Sequence, residues 1–277
     1  EFDHIIKMGR TQMQDAVPIR LGQEFKAYSV AIMRDIHRMD KAMDEMRTLN
    51  MGGTAIGTGI NADEGYLRRI VPNLTEISGM DFIQAFDLID STQNLDPFVA
   101  VSGAVKACAV TLSKMSNDLR LMSSGPRTGF GEINLPAKQN GSSIMPGKVN
   151  PVIPEVVNQV AFNIIGNDVT ITMAAEAGQL ELKAFEPIIF YCMFQSIDTL
   201  GYAVQTLVDN CIVGITANEE RCRYLVENSV GIITAISPHL GYQKAADIAK
   251  KAIKTGESVR SLILKEKLMD EDELNRI

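Results

Sequence analysis

VSGAVKACAVTLSKMSNDLRLM, residues 101–122, decides the fold. Its apolar side chains Val101, Val105, Cys108, Leu112, Met115, Leu119 and Met122 recur in alternating steps of four and three. That spacing follows one face of an α-helix, and a stripe sustained this long buries against other helices at shallow crossing angles. A second stripe runs Phe190, Met193, Ile197, Leu200, Val204, Leu207, Cys211. A third, Ile32, Ile36, Met39, Met43, Met46, lies in a helix placed at about residues 20–50. Glu155 to Ala177 reads as a fourth helix, beginning just after Pro154. No stretch alternates with period two for long enough to predict a sheet. The fold class is therefore all-α: a long-helix bundle over residues 1–214 and a small helical C-terminal domain over 215–277. In that second part, shorter helices are placed at 217–228, 239–254 and 270–276, separated by Gly and Pro. Methionines on the stripes read as core filler rather than as a peptide-binding groove.

The bulk numbers agree with a packed helical chain. At 277 residues and 45% hydrophobic content there is ample room for a core, and disorder is excluded. A net charge of −7 argues against a general nucleic-acid or anionic-membrane binder. No apolar run approaches the roughly 18 residues that span a bilayer. Cys108, Cys192, Cys211 and Cys222 form no C-x-x-C pair. They read as buried reduced thiols of a cytoplasmic protein, not as metal ligands or disulfides. Residues 1–4 carry no initiator Met and no signal-peptide features, so the expectation is a chain that begins within a longer protein.

Three segments interrupt the helical pattern: a polar lead at 8–18, a Gly/Thr loop at 52–61, and a long connection at 124–151 that ends in GSSIMPGKVNP. Irregular connections of that length between long helices are usually either functional or disordered. Gly141, Pro146, Gly147 and Pro151 restrict the loop at 141–151 to a few shapes. Ser142 and Ser143 offer hydroxyls beside exposed backbone N–H groups, Lys148 a cation, Asn150 a neutral donor. Two readings stand on the residues alone: an anion site with a reactive hydroxyl, or a Ser/Gly turn that caps the next helix. A phosphate-binding P-loop is excluded, because Val149 follows Lys148 and the upstream glycine spacing is missing.

GSSIMPGKVNP resembles the signature loop of the aspartase/fumarase superfamily, G-S-S-x-M-P-x-K-x-N, at every specified position. GRTQMQDAVPIRLGQEF (9–25), MGGTAIGTGIN (51–61), NDLRLMSSGPRTGFGEI, EAGQLEL and SPHLGYQKAADIAKKAI are similar to further segments of the same family. The resemblance implies a cofactor-free, metal-free lyase whose long helices pool into a homotetramer core with sites shared between subunits. It implies Ser142 as the catalytic base, and Ser143, Lys148, Asn150 and Thr11 as contacts to a small dicarboxylate substrate. Proton abstraction from Cβ would leave a dianionic aci-carboxylate, which preorganised cations and N–H donors stabilise. The serine hydroxyl would need loop amides and Lys148 to favour its alkoxide. No nucleic-acid or membrane partner is implied.

Gln12 helps to choose among members. Fumarases place His after the Arg-Thr, whereas Gln cannot titrate or anchor a proton relay to water. An ammonium group leaves directly as ammonia, so Gln12 suits the aspartate ammonia-lyases, which interconvert L-aspartate with fumarate and ammonia. A fumarate hydratase and an inactive structural relative are the alternatives. Two departures stand out. Lys183 occupies a position where the family has Asn, and the family's first conserved segment, which supplies Thr, Ser and Asn ligands, would precede residue 1. MSNDLR at 115–120 is not that segment, since it lies on a heptad helix. His4, His37 and His239 receive no catalytic role.

Overall fold

The structure is a computed structural model and describes residues 1–274. The chain opens on a β-hairpin in which β1 (Ile6–Thr11) and β2 (Gln14–Arg20) pair antiparallel. The joining residues Gln12 and Met13 both have positive φ, 52° and 66°. Two successive left-handed residues let a tight turn match the twist of its strands. Residues 8–18, read from the sequence as an irregular lead, are thus strand and turn. The alternation was hidden because the register shifts between Met8 and Arg10, a β-bulge. Gly9 lies at the shift, where a Cβ would come within 2.6 Å of the Val17 carbonyl oxygen.

Next come α1 (Leu21–Glu45), β3 (Thr48–Leu49), α2 (Glu64–Ser78), β4 (Ile83–Gln84), α3 (Leu88–Gln93) and α4 (Asp96–Met122). Asp63 caps α2 by accepting the Tyr66 N–H, and Gly79 ends it in the left-handed region. β5 (Ile133–Asn134) leads to α5 (Val152–Glu176) and α6 (Glu186–Leu207), the latter running into a π-helical turn at Val208–Ile212. β6 (Thr216–Ala217), α7 (Glu219–Asn228), a 3₁₀ turn at Val230–Ile232, α8 (Ile233–Leu240), α9 (Tyr242–Thr255), α10 (Val259–Lys265) and α11 (Glu271–Leu274) complete the described chain. β3 pairs parallel with β4 and β5 antiparallel with β6, each over two residues. The long helices fall where the stripes predict them. Helix α5 starts before Pro154, because a proline in the first turn lacks only an N–H that has no partner there. Helices α2, α3, α8 and α10 were not foreseen, and residues 275 and 276 of the predicted last helix lie outside the described residues.

The chain groups into two compact units. One gathers Glu1–Ser29, Leu119–Pro136 and Gly214–Ile277; the other holds Val30–Asp118 and Ala137–Val213. The C-terminal helices therefore share a unit with the hairpin, a grouping that differs from the contiguous division at 214/215. Hydrogen bonds give the reason. The irregular stretch before β5 leaves backbone carbonyls without partners of its own, and α7 satisfies them. Asn218 donates to the Gly131 carbonyl at 2.8 Å, and Arg221 donates to those of Gly129 and Phe130 at 2.9 Å each. The apolar centre of this unit is Ile236, Ile248, Val259, Leu262, Ile263 and Met269.

In the second unit, α5 packs along α6, with Leu95, Ile171, Ile189, Cys192 and Met193 between them. The α4 stripe is buried from Val105 to Met122, with Val101 half-buried. Polar contacts fix α5 on α4: buried Asp168 accepts from Ser102 Oγ at 2.8 Å and pairs with Lys106 Nζ at 2.5 Å. Asn158 Nδ2 donates to Ser113 Oγ at 2.8 Å. The α6 stripe is a partial departure. Ile197 and Val204 remain exposed, while Ser196 and Ala203 are buried. Helix α6 is apolar on more than one face, so periodicity alone did not single out the buried one. By length and composition α4 also qualifies to cross a membrane, with a mean hydropathy of 1.4 over 18 residues, which the run-length reading did not anticipate. Its buried stripe and its Lys106–Asp168 pair belong equally to a core helix of a bundle. All four cysteines are free and buried.

Candidate active site

The loop at 141–151 is organised by its own backbone. Pro146 and Gly147 occupy the middle of a turn that the Lys148 N–H closes onto the Met145 carbonyl at 3.1 Å, and Gly147 supplies the φ of 83°. A proline followed by a positive-φ glycine is the pair such a turn requires. The turn returns the chain on itself, so the Ser142 N–H donates to the Lys148 carbonyl at 3.1 Å. Ser142 Oγ in turn accepts from the N–H groups of Ile144, at 3.2 Å, and Met145, at 3.1 Å. Two donors aimed at one hydroxyl oxygen stabilise negative charge there. Ser143 and Lys148 are exposed, and Ser142 and Asn150 are half-buried. Pro151 precedes α5 with no side-chain cap, so Ser142 does not act as that helix's cap.

Thr11 ends β1 and Gln12 begins the hairpin turn, both exposed and both in the first unit. Ser142, Ser143, Lys148 and Asn150 belong to the second unit. Beneath the hairpin lies a charge cluster that the sequence reading missed. Glu132 is fully buried, accepts from Arg10 Nη1 at 2.7 Å and pairs with Lys7 Nζ at 3.4 Å. Lys7, also buried, reaches Glu24 at 2.9 Å, and the Arg10 guanidinium lies 3.9 Å from the centroid of the Phe130 ring. The one available signal was the Glu132 side chain inside an otherwise uncharged GFGEI stretch, and nothing in its spacing tied it to residues 7 and 10.

Lys183 does not stand free as an extra cation. Its Nζ donates to the Ala175 carbonyl, closing the last turn of α5, where cations meet the carbonyl end of the helix. His4, His37 and His239 are exposed, and among the described residues no group of His, Cys, Asp or Glu is arranged to hold a metal ion.

Long helices carrying a serine-bearing, amide-lined loop describe the class of protein that the family models below match. The family model described as "Lyase" matches residues 1–166, and that described as "Fumarase C C-terminus" matches residues 232–277. The chain belongs to this lyase family, within the aspartase/fumarase superfamily. It is 54% identical to the aspartate ammonia-lyase of Bacillus subtilis over 277 residues, covering all of this chain and 58% of that protein. Against the aspartate ammonia-lyase of Pseudomonas canavaninivorans it is 56% identical over 278 residues, covering 100% of this chain and 59% of that protein. Among solved structures, the fumarate lyase:delta crystallin of Brucella melitensis bound to cobalt matches with a TM-score of 0.94 at 50% identity, over 98% of this chain and 59% of that one. A class II fumarase from Schistosoma mansoni matches at 0.93 and 32% identity, over 100% and 61%. The chain thus spans a little under three fifths of the curated relatives' length.

Proposed function

We propose that the protein carrying this chain is an aspartate ammonia-lyase, converting L-aspartate reversibly to fumarate and ammonia. The observation that carries the reading is the pair of N–H donors on Ser142 Oγ, in a loop that also presents Lys148. Identities of 54% and 56% to relatives of that name support it. Ser142, as alkoxide, takes the Cβ proton, and the electron pair moves into the neighbouring carboxylate as an aci-carboxylate. Ser143, Lys148, Asn150, Thr11 and Gln12 bind the substrate carboxylates and meet that charge. The pair then returns to form the double bond as the Cα–N bond breaks, and ammonia leaves from the ammonium group. The chemistry needs no cofactor, since every role falls to a hydroxyl, a cation or an N–H donor.

The site is assembled between subunits of a homotetramer, and part of it comes from chain outside these residues. Exposed apolar side chains on α5 and α6, including Phe162 at 64%, Met173 at 65% and Phe194 at 63%, support the association. The likeness to a class II fumarase favours one second reading, hydration of fumarate. Following fumarate by its ultraviolet absorbance, with aspartate and malate as alternative substrates of the complete protein, separates the two. Turnover of aspartate alone is expected; turnover of malate alone overturns the assignment. The 277 residues by themselves are expected to turn over aspartate negligibly, because each lost charged hydrogen bond to a carboxylate costs about 1.5–3 kcal/mol.

A further inference from the structure

Strand alternation puts residues three apart on opposite faces. Lys7 and Arg10 are three apart on β1, yet both reach the same buried carboxylate, Glu132. The hairpin carries a bulge at this point: from Met8 to Arg10 β1 advances two residues while β2 advances three, from Pro18 to Asp15, so Gly9 faces the extra residue of β2 and the ribbon twists more strongly there. Beyond it the register is regular, and alternation puts Thr11 on the face away from Arg10, where it is exposed. Glu132 is itself held by backbone: its N–H donates to the Met122 carbonyl at 2.8 Å, and its carbonyl accepts the Asn218 N–H at 2.8 Å. The far side of the turn is tied as well, by Asp15 accepting from Ser229 Oγ at 2.6 Å. Between these ties stand Gln12 and Met13, two non-glycine residues in left-handed conformations that persist only where surroundings hold them.

We propose that Glu132 is a positioning residue for substrate binding: through Lys7 and Arg10 it clamps β1 on either side of Gly9, opposite the bulge of β2, so that the turn presents Thr11 and Gln12 to a substrate carboxylate. This rests on the reading of Thr11 and Gln12 as carboxylate contacts. Glu132 is fully buried, and its ion pairs are to the two cations of β1. A ligand-contacting turn built on left-handed residues has no regular hydrogen-bond ladder beyond it, so its aim is set by the strand residues beneath.

The test uses Glu132→Gln in the complete protein, a change of charge at nearly constant volume. The apparent KM for aspartate is expected to rise about tenfold or more while kcat falls less than about threefold, since binding geometry rather than the base is altered. In parallel, deuterium exchange of the amides at 8–15, read by mass spectrometry, is expected to quicken about tenfold. Arg10→Lys keeps the charge but loses the planar grip and the Phe130 contact; it gives smaller shifts of the same kind and serves if Glu132→Gln does not fold. Faster exchange with an unchanged KM makes the cluster scaffold only and overturns the proposal, as does a loss of kcat at constant KM, or no change in either. A wild-type protein that forms no fumarate from aspartate overturns the activity reading instead, and the exchange measurement then decides by itself whether Glu132 holds the turn.

Discussion

Ser142 combines a nucleophilic oxygen with two amides that point at it, and the rest of the loop exists to keep them there. Ser142→Ala removes the proposed proton acceptor without touching the backbone N–H bond of residue 142 to the Lys148 carbonyl. Turnover of the complete protein is expected to fall by about three orders of magnitude or more, with helical circular dichroism unchanged. Lys148→Ala acts on a side chain that is exposed in this chain, so its main symptom is a raised apparent KM. The buried thiols give a prediction of another kind. Burial pushes Cys108, Cys211 and Cys222 up from the ordinary 9.0 to about 11, and for Cys222 the nearby Glu132 charge adds to it. The folded state thus keeps protons that the unfolded chain releases first. Their contribution to stability is complete below pH 9 and is lost as pH rises through about 11. Denaturant midpoints measured from pH 8 to 11 should fall over the upper part of that range; replacing all three with Ala should flatten the decline.

Helix α4 shows how far a pattern read along one element carries. Its stripe is buried as the heptad spacing predicts, because a single apolar face leaves one way to pack. The α6 helix offers two such faces, and its buried one is chosen by α5. Polar contacts contribute to that choice: Asn167 Nδ2 on α5 donates to Ser196 Oγ and to Gln195 Oε1 on α6, each at 3.0 Å. On its other side α5 is tied to α4, where Asp168 lies nearly out of solvent between Ser102 and Lys106, although Lys106 itself is partly exposed. Asp168→Ala strands the Ser102 hydroxyl and is expected to cost about 1–3 kcal/mol, read as a lower midpoint in urea with the slope unchanged. Gly57, in the Gly/Thr loop, is a sharper case. It has a φ of 91°, and a Cβ there would lie 2.3 Å from the Ile89 Cα. Gly57→Ala is expected to destabilise by about 1–3 kcal/mol or more, checked by the same titration. The loop was legible as irregular, but the backbone that crowds it comes from more than 30 residues away and was not.

For the molecule as a whole, the apolar surface left uncovered on α1, α5 and α6 is the outstanding fact. Met33, Met43, Phe162, Met173, Tyr191 and Phe194 are all more than half exposed, far beyond the scattered apolar residues of an ordinary surface. Sedimentation at micromolar concentration is expected to give a tetramer; a well-folded monomer there would sink the association and the shared site with it. By itself the sequence determined the long helices, the heptad face of α4 and the family to which the 141–151 loop belongs. These follow from spacing and from the demands of turns, which act over a few neighbouring residues. Only the tertiary structure decided that residues 6–20 form a bulged hairpin, that the C-terminal helices pack with it, and that Glu132 sits beneath it between Lys7 and Arg10. The last two outcomes depend on burial and on hydrogen bonds between segments 87 to 122 residues apart, where a charge or an orphaned carbonyl takes the partner that folding brings to it, and no local periodicity records which partner that will be.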